Sequence, residues 1–102
     1  MNDVEIYVRR VHGMTTREQV LRQLAEESSE LTQAALKLIR AMEGATPVTY
    51  QDAIENLAEE FGDVQNCVLV LEKNFGGLSA LSEAIGEKKM KRWCERLEKR
   101  HG

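Results

Sequence analysis

The chain contains few proline, cysteine and aromatic residues. Its 102 residues include one proline, two cysteines, one tryptophan, two tyrosines and two phenylalanines. The single proline, together with 42% hydrophobic and 30% charged residues, fits a folded protein and argues against disorder. Cys67 and Cys94 have no C-x-x-C spacing, which argues against a disulfide framework and against a cysteine zinc site. We therefore expect a reducing, cytoplasmic location.

Long apolar runs and a strong charge of one sign are missing as well. No apolar run approaches the ~20 residues of a membrane-spanning helix, and the first ten residues, MNDVEIYVRR, lack the apolar core of a signal peptide. We expect a protein that is neither secreted nor inserted in a membrane. The net charge of -3 gives no general reason to expect nucleic acid binding.

Helical patterns occupy most of the chain. Caps and turn residues predict a short first helix that ends at Gly13, a long helix from the capping-box pattern at Thr15 to about Glu43, a second long helix from Thr49 to about Asn74, and a last helix from Leu78 with a candidate break at Gly86. The predicted fold is all-α, with residues 1–102 as one domain. An antiparallel helical hairpin forms its centre, and short helices flank it.

The two central helices each carry a stripe in which apolar or small residues recur at steps of three and four, as in closely packed helix pairs. The predicted seam consists of Leu24, Ser28, Leu31, Ala35, Leu38 and Met42 in the first helix, and of Ile54, Leu57, Phe61, Val64, Val68, Leu71 and Phe75 in the second. The short loop makes the helices antiparallel, and the register that pairs Leu31 with Phe61 folds about a point near Thr46.

Four acidic residues have matching places beside this seam. Glu27 and Glu30 each precede a seam residue by one position in the first helix. Glu60 and Asp63 do the same in the second. Antiparallel pairing brings the two pairs to heights that agree within about one residue rise, ~1.5 Å. The sequence therefore predicts that four carboxylates converge on one side of the hairpin, whereas single glutamates elsewhere on these helices are interpreted as solvated.

Converging carboxylates predict a metal site. Like charges a few ångströms apart raise one another's pKa values, whereas a divalent cation bound by the same oxygens stabilises the group. Oxygen ligands without histidine or thiolate favour Mg²⁺, with Mn²⁺ as a substitute. A di-iron site of the helical-bundle type uses Glu-x-x-His motifs. It is disfavoured because His12 and His101 lie outside both acidic helices.

The acidic motifs also resemble those of an enzyme family. Glu26-Glu27-Ser28-Ser29-Glu30, followed after the hairpin loop by Glu60-Phe61-Gly62-Asp63, is similar to the E-E-x-x-E and E-x-x-D motifs of the MazG-like all-alpha nucleoside triphosphate pyrophosphatases, over roughly residues 15–100. The resemblance implies Mg²⁺-dependent hydrolysis between the α and β phosphates, which yields nucleoside monophosphate and pyrophosphate. The family includes dimeric dUTPases, dCTP pyrophosphatases and phosphoribosyl-ATP pyrophosphatases.

The resemblance assigns roles to the acids. It makes Glu27, Glu30, Glu60 and Asp63 the metal ligands. Glu26 lies about 100° around the helix from Glu27, and it is a further catalytic candidate that would orient a water or a second ion. Which acid acts as general base stays open.

Candidate substrate contacts lie on the second and last helices. Asn66, one turn after Asp63, either donates to the sugar or phosphate or is an ordinary polar surface residue. Four basic residues of the last helix would hold the phosphates: Lys88, Lys89, Lys91 and Arg92. The alternative for this segment is a solvated amphipathic helix.

Two further expectations concern partners and rival functions. Residues 67–71 are apolar all round a helix, and a broad apolar surface lies opposite, so we expect a homodimer or a dimer of dimers. That surface consists of Ala34, Ala35, Leu36, Leu38 and Ile39. In such an assembly, the basic segment of one chain could complete the site of another. The rival functions are a phosphoribosyl-ATP pyrophosphatase and a non-catalytic helical module that only binds a nucleotide or a partner.

Overall fold

A computed structural model describes residues 2–102, and within that range it contains helices and no strands. The helices are α1 (Asp3–Met14), α2 (Arg17–Met42), α3 (Tyr50–Asn74) and α4 (Leu78–His101). The central hairpin consists of α2 and α3, α1 packs against α3, and α4 continues from the end of α3. The predicted all-α fold is confirmed. The last helix has 24 residues, so it is nearly as long as the hairpin helices, and it runs through Gly86 without a break.

The cap of α2 lies one residue beyond the predicted position. The Thr16 hydroxyl accepts a hydrogen bond from the Gln19 backbone N–H at 3.1 Å, and the Gln19 side chain accepts one from the Thr16 N–H at 2.8 Å. This reciprocal pair is a capping box. The Thr15 hydroxyl instead donates to the Val11 carbonyl at the end of α1.

The first helix runs one residue past the predicted end at Gly13, to Met14, whereas local signals set the ends of the hairpin helices as expected. Thr49 caps α3 by accepting a hydrogen bond from the Asp52 N–H, and Gly44 ends α2 at a φ of 69°, a conformation that glycine adopts without steric cost. At the junction with α4, Gly77 has a φ of 88°. The Glu72 carboxylate accepts hydrogen bonds from the N–H groups of Gly77 at 2.9 Å and Ser79 at 2.8 Å. These two bonds fix the direction in which α4 leaves the hairpin.

The main apolar cluster lies at the end of the hairpin away from its loop. Val8, Val20, Val70 and Leu71 are buried there, with Leu24 and Leu78 packed against them. An ion pair between Lys73 and Glu5, at 2.7 Å, also ties α1 to α3. This pair and a second one with Arg9 lower the pKa of Glu5. Within residues 2–102, no helix is both long enough and apolar enough to cross a membrane.

The contact surface between α2 and α3 differs from the predicted seam. Its most buried members are Ala34, 1% exposed, and Ala53, 0% exposed. Phe61 and Val68 belong to the predicted seam, yet they are 51% and 39% exposed. Small alanines let the helices approach closely, whereas larger side chains would hold them apart. The hairpin is therefore rotated towards its acidic flank, so that Phe61 and Val68 face outwards, whereas Leu71 of the predicted seam is buried.

Candidate metal centre

Three carboxylates meet between α2 and α3. One oxygen from each of Glu27, Glu60 and Asp63 lies within 4.8 Å of the others, and all three side chains are half-buried. Glu60 and Asp63 are nearly one turn apart on α3 and therefore share a face. Glu27 approaches them from the opposing helix. The predicted convergence across the hairpin holds for these three acids, which lie in the helix contact and not beside it.

Neighbouring groups position this cluster without neutralising it. The Gln23 amide donates a hydrogen bond of 2.7 Å to Glu27, one turn further along α2. The ion pairs among residues 2–102 join Arg9 and Lys73 to Glu5, and Arg17 to Glu18. No lysine or arginine of this range therefore pairs with the three carboxylates, and their charge is uncompensated by the chain itself.

The cluster changes the protonation of its own members. Removal from water raises the pKa of Glu60, and repulsion by Asp63, Glu30 and Glu27 raises it further. Burial also raises the pKa of the Cys67 thiol, with smaller contributions from the charges of Glu27 and Asp63. Cys67 is therefore a neutral thiol at neutral pH, and the available anionic ligands are oxygens.

The donor set fits a hard divalent cation. Three carboxylate oxygens that already lie within 4.8 Å of one another can bind one ion and leave further coordination positions for water or phosphate, as Mg²⁺ requires. The absence of a thiolate or an imidazole from this group of ligands disfavours zinc. Glu27, Glu60 and Asp63 are thus the residues that would hold Mg²⁺ or Mn²⁺.

The other two predicted acids lie outside this group of three. Glu30 is exposed and lies outside the group of three, but it is close enough to raise the pKa of Glu60. Glu26 is also exposed and stands apart from that group.

An open cavity of about 640 Å³ adjoins the carboxylates. Glu27 and Asp63 line it, and the predicted contact Asn66 lines it too. Its remaining wall is supplied by three helices and by the connection between α1 and α2: Val4, Tyr7, Val8, Val11, Thr15, Gln19, Val20, Gln23, Cys67 and Val70. Apolar side chains with a few amides at one end are typical of a small-molecule site.

The sequence did not indicate that α1 takes part in the site, whereas in the structure Tyr7 of α1 lines the cavity. The available signal was the apolar stripe of α1, which includes Tyr7 and indicates that one face of the helix is buried. Periodicity does not show which helices that face meets.

The basic residues of the last helix lie elsewhere. Lys88, Lys89, Lys91 and Arg92 are all exposed on α4. None of them lines the cavity beside the carboxylates. The chain therefore brings its acids together, but it does not bring these cations to its own acids.

Comparison with protein-family models, with curated proteins and with solved structures finds no match to this chain. The functional assignment therefore depends on the carboxylates, the cavity and their relative positions.

Proposed function

We propose that the protein is a Mg²⁺-dependent nucleotide pyrophosphohydrolase of the MazG-like type, which converts a nucleoside or deoxynucleoside triphosphate into the monophosphate and pyrophosphate. One observation carries the proposal: three carboxylates from two helices meet at the edge of a cavity of about 640 Å³. That volume falls within the roughly 300–1,000 Å³ of ligand pockets. A nucleotide would use both the carboxylates and the cavity, because its phosphates would bind the carboxylates through Mg²⁺ and its base would lie in the cavity.

The carboxylates serve the charged end of the substrate. Glu27, Glu60 and Asp63 would hold Mg²⁺, which when bound neutralises phosphate charge and helps to orient the attacking water. In the reaction, the water oxygen bonds to the α-phosphorus, the bridging bond to the β-phosphate breaks, and pyrophosphate leaves. Glu30 lies beside Glu60 but outside the close group of three. Its carboxylate is therefore available to accept the proton of the water.

Glu26 completes the proposed set of acids. It is exposed, one position before Glu27 on α2, and would orient a water or bind a second ion. Its loss should lower the rate less than loss of Asp63, because Asp63 belongs to the close group of three.

The cavity serves the nucleoside end. Its α1 wall presents Tyr7, whose ring can pack against a base, and Asn66 and Gln23 offer amide groups near the carboxylates. Amides both donate and accept hydrogen bonds, so they suit a sugar hydroxyl or a base edge. The proposal includes a cytoplasmic, homo-oligomeric enzyme, since nucleotides are cytoplasmic substrates and much apolar surface of the single chain is uncovered.

Pyrophosphate release tests the proposal. The purified chain is incubated with Mg²⁺ and a panel of ribo-, deoxy- and modified triphosphates, together with phosphoribosyl-ATP, and both products are measured. We expect release that requires Mg²⁺ and that Glu30→Ala and Asp63→Ala each abolish, while Glu59→Ala, an exposed neighbour on α3, retains it. Circular dichroism verifies that the variants are folded.

Activity that survives in both Glu30→Ala and Asp63→Ala would contradict the proposal. Mg²⁺-dependent nucleotide binding without turnover of any substrate would favour the non-catalytic module. Turnover of phosphoribosyl-ATP alone would identify the rival substrate.

A further inference from the structure

The last helix has almost no contact with its own chain. No residue of α4 is buried, and every residue from 81 to 102 is exposed. Two of its apolar side chains, Leu81 and Ile85, are 59% and 48% exposed. Most helices in proteins owe their stability to packing of an apolar face, and in this chain that face of α4 is uncovered.

The uncovered surface is as large as a subunit interface. The chain exposes 8088 Å², whereas a compact monomer of this length exposes about 5,800 Å². Its radius of gyration is 17.2 Å, against about 13 Å for a compact domain. The excess, about 2,200 Å², is well above the roughly 800 Å² that each partner buries in a standard interface.

The helix cannot cover the hairpin of its own chain as the structure stands. The Glu72 carboxylate holds the N–H groups of Gly77 and Ser79, and these bonds direct α4 away from α3. To fold back, α4 would have to break both bonds and change the backbone at Gly77. Insertion into a second copy would leave both of these bonds in place.

The hairpin has a groove that suits such a helix. This outer groove is lined mainly by apolar residues that face away from the main cluster, and it measures about 440 Å³: Leu31, Phe61, Val64, Gln65, Asn66, Val68 and Leu69. Asn66 lines both this groove and the cavity beside Glu27 and Asp63. A helix seated in the groove would therefore lie next to that cavity and its carboxylates.

One face of α4 matches this arrangement. Ile85, Lys88, Lys89 and Arg92 follow Leu81 by four, seven, eight and eleven positions, which is the spacing of a single helix face. That face is apolar in its first turns and basic in the next. Lys91 lies about 100° from the centre of the face at 100° per residue, so it points elsewhere.

We propose that α4 of one copy occupies the outer groove of a second copy. Leu81 and Ile85 fill the apolar groove, and Lys88, Lys89 and Arg92 lie beside the second copy's carboxylates, where they contact the phosphates of its substrate. In a two-fold dimer each copy gives its α4 and receives the other's. The position of α4 stands independently of catalysis, whereas the phosphate contact rests on the proposed function.

The first test measures oligomeric state. Sedimentation equilibrium of the wild type should give twice the mass of one chain, and the double variant with Leu81→Glu and Ile85→Glu should give the mass of one. Because these side chains touch little in their own chain, the helix content should be retained. The control is Met90→Glu, on another face of α4, which should stay dimeric. A monomeric wild type overturns the inference, as does dissociation by Met90→Glu alone.

The second test identifies the contact in the unaltered protein. Chains labelled with ¹⁵N are mixed with unlabelled chains and treated with a carbodiimide, which joins a lysine to an adjacent carboxylate. Mass spectrometry should find mixed-isotope links from Lys88 or Lys89 to acids of residues 26–30 or 59–63. Links from Lys91 but from neither of those lysines, or no link between chains, would overturn the inference. A dimer with these links that hydrolyses no triphosphate contradicts the proposed function only, and an active monomer contradicts this inference only.

Discussion

Glu27→Gln should stabilise the protein when divalent cations are absent. Glu27 faces two other carboxylates, and an oxygen of each lies within 4.8 Å of its own. Glutamine has nearly the same shape, and its carbonyl oxygen can still accept the hydrogen bond from Gln23. The substitution therefore removes like-charge repulsion and leaves the helix contact in place. The expected gain in stability results from the close approach of three acids between α2 and α3.

The size of the gain follows from the distance between charges. Two unit charges 4.8 Å apart repel by about 0.9 kcal/mol in water and by about 3.5 kcal/mol at an effective dielectric constant of about 20. Glu27 is half-buried, and partial exposure to solvent and salt reduces the upper figure. We expect a gain of roughly 1–2 kcal/mol in the free energy of unfolding. Each kcal/mol raises the midpoint of thermal unfolding by about 4–8 °C in a domain of this size.

In excess Mg²⁺ the wild type should be more stable than Glu27→Gln. A ligand that binds only the folded wild type stabilises it by about 2.7 kcal/mol at a hundred times its Kd, and Glu27→Gln lacks one of the ligands. Thermal unfolding is followed by circular dichroism at one protein concentration, in chelator and in excess Mg²⁺. The matched control is Glu59→Gln, which removes the same charge from an exposed position. If Glu27→Gln is no more stable than this control in chelator, or if Mg²⁺ stabilises both variants equally, the carboxylates do not form a cation site.

Three further predictions use other parts of the structure. When inactive Asp63→Asn chains are mixed with inactive Arg92→Glu chains, half of the dimers contain one chain of each kind. Each mixed dimer has one site with both Asp63 and Arg92 intact, so the mixture should recover about a quarter of the wild-type activity. No recovery would show that each chain uses its own α4. Hydrogen bonds from the N–H groups of Ser79 and Gly77 lower the pKa of Glu72, so the stability that wild type has over Glu72→Gln should be complete at neutral pH. It should be lost as the pH falls below about 4.3, the pKa of an unperturbed glutamate, towards the lower folded value, and a difference in denaturant unfolding that persists in acid would contradict this. Ala53→Leu should destabilise the hairpin by about 1–3 kcal/mol through overpacking, because Ala53 is fully buried against α2, while the exposed Ala58→Leu should have little effect.

The sequence predicted the helices well because their ends depend on local chemistry. Thr49 caps α3 and Gly44 ends α2 through interactions within a few residues. The predicted box at Thr15 was wrong by one residue because two adjacent threonines offer the same hydroxyl. Only the contact of Thr15 with the end of α1 distinguishes them.

The rotation of the hairpin helices was harder to predict. Periodicity shows that an apolar stripe exists, but two neighbouring stripes with similar spacing compete for the same interface. In the structure Ala34 and Ala53 are almost completely buried, whereas Phe61 is half exposed. Large apolar residues suggested the wrong stripe because the closest helix approach favours small ones. Three of the four acids still meet, since each of them precedes a residue of the predicted seam by one position, as Ala34 and Ala53 also do.

The position of α1 was beyond local reasoning. It depends on the Lys73–Glu5 ion pair, which joins residues 68 positions apart, and on the burial of Val8 against Val70. No pattern within twelve residues reveals such a contact, so the cavity beside Tyr7 could not be predicted. The chemistry-bearing acids were found because both halves of their site belong to one hairpin with one register.

If α4 is exchanged between copies, dimer strength should depend on what occupies the carboxylates. The four acids of one copy, Glu27, Glu30, Glu60 and Asp63, would face three cations of the other, so the empty site attracts the partner helix. Mg²⁺ alone adds positive charge and should weaken this attraction, whereas a triphosphate bound with it restores negative charge and should strengthen it. We expect the dimer Kd, measured by sedimentation at low salt, to rise with Mg²⁺ and to fall when a non-hydrolysable triphosphate is added. If calorimetry detects Mg²⁺ binding but the dimer Kd does not change with Mg²⁺, the basic face of α4 lies away from the acids.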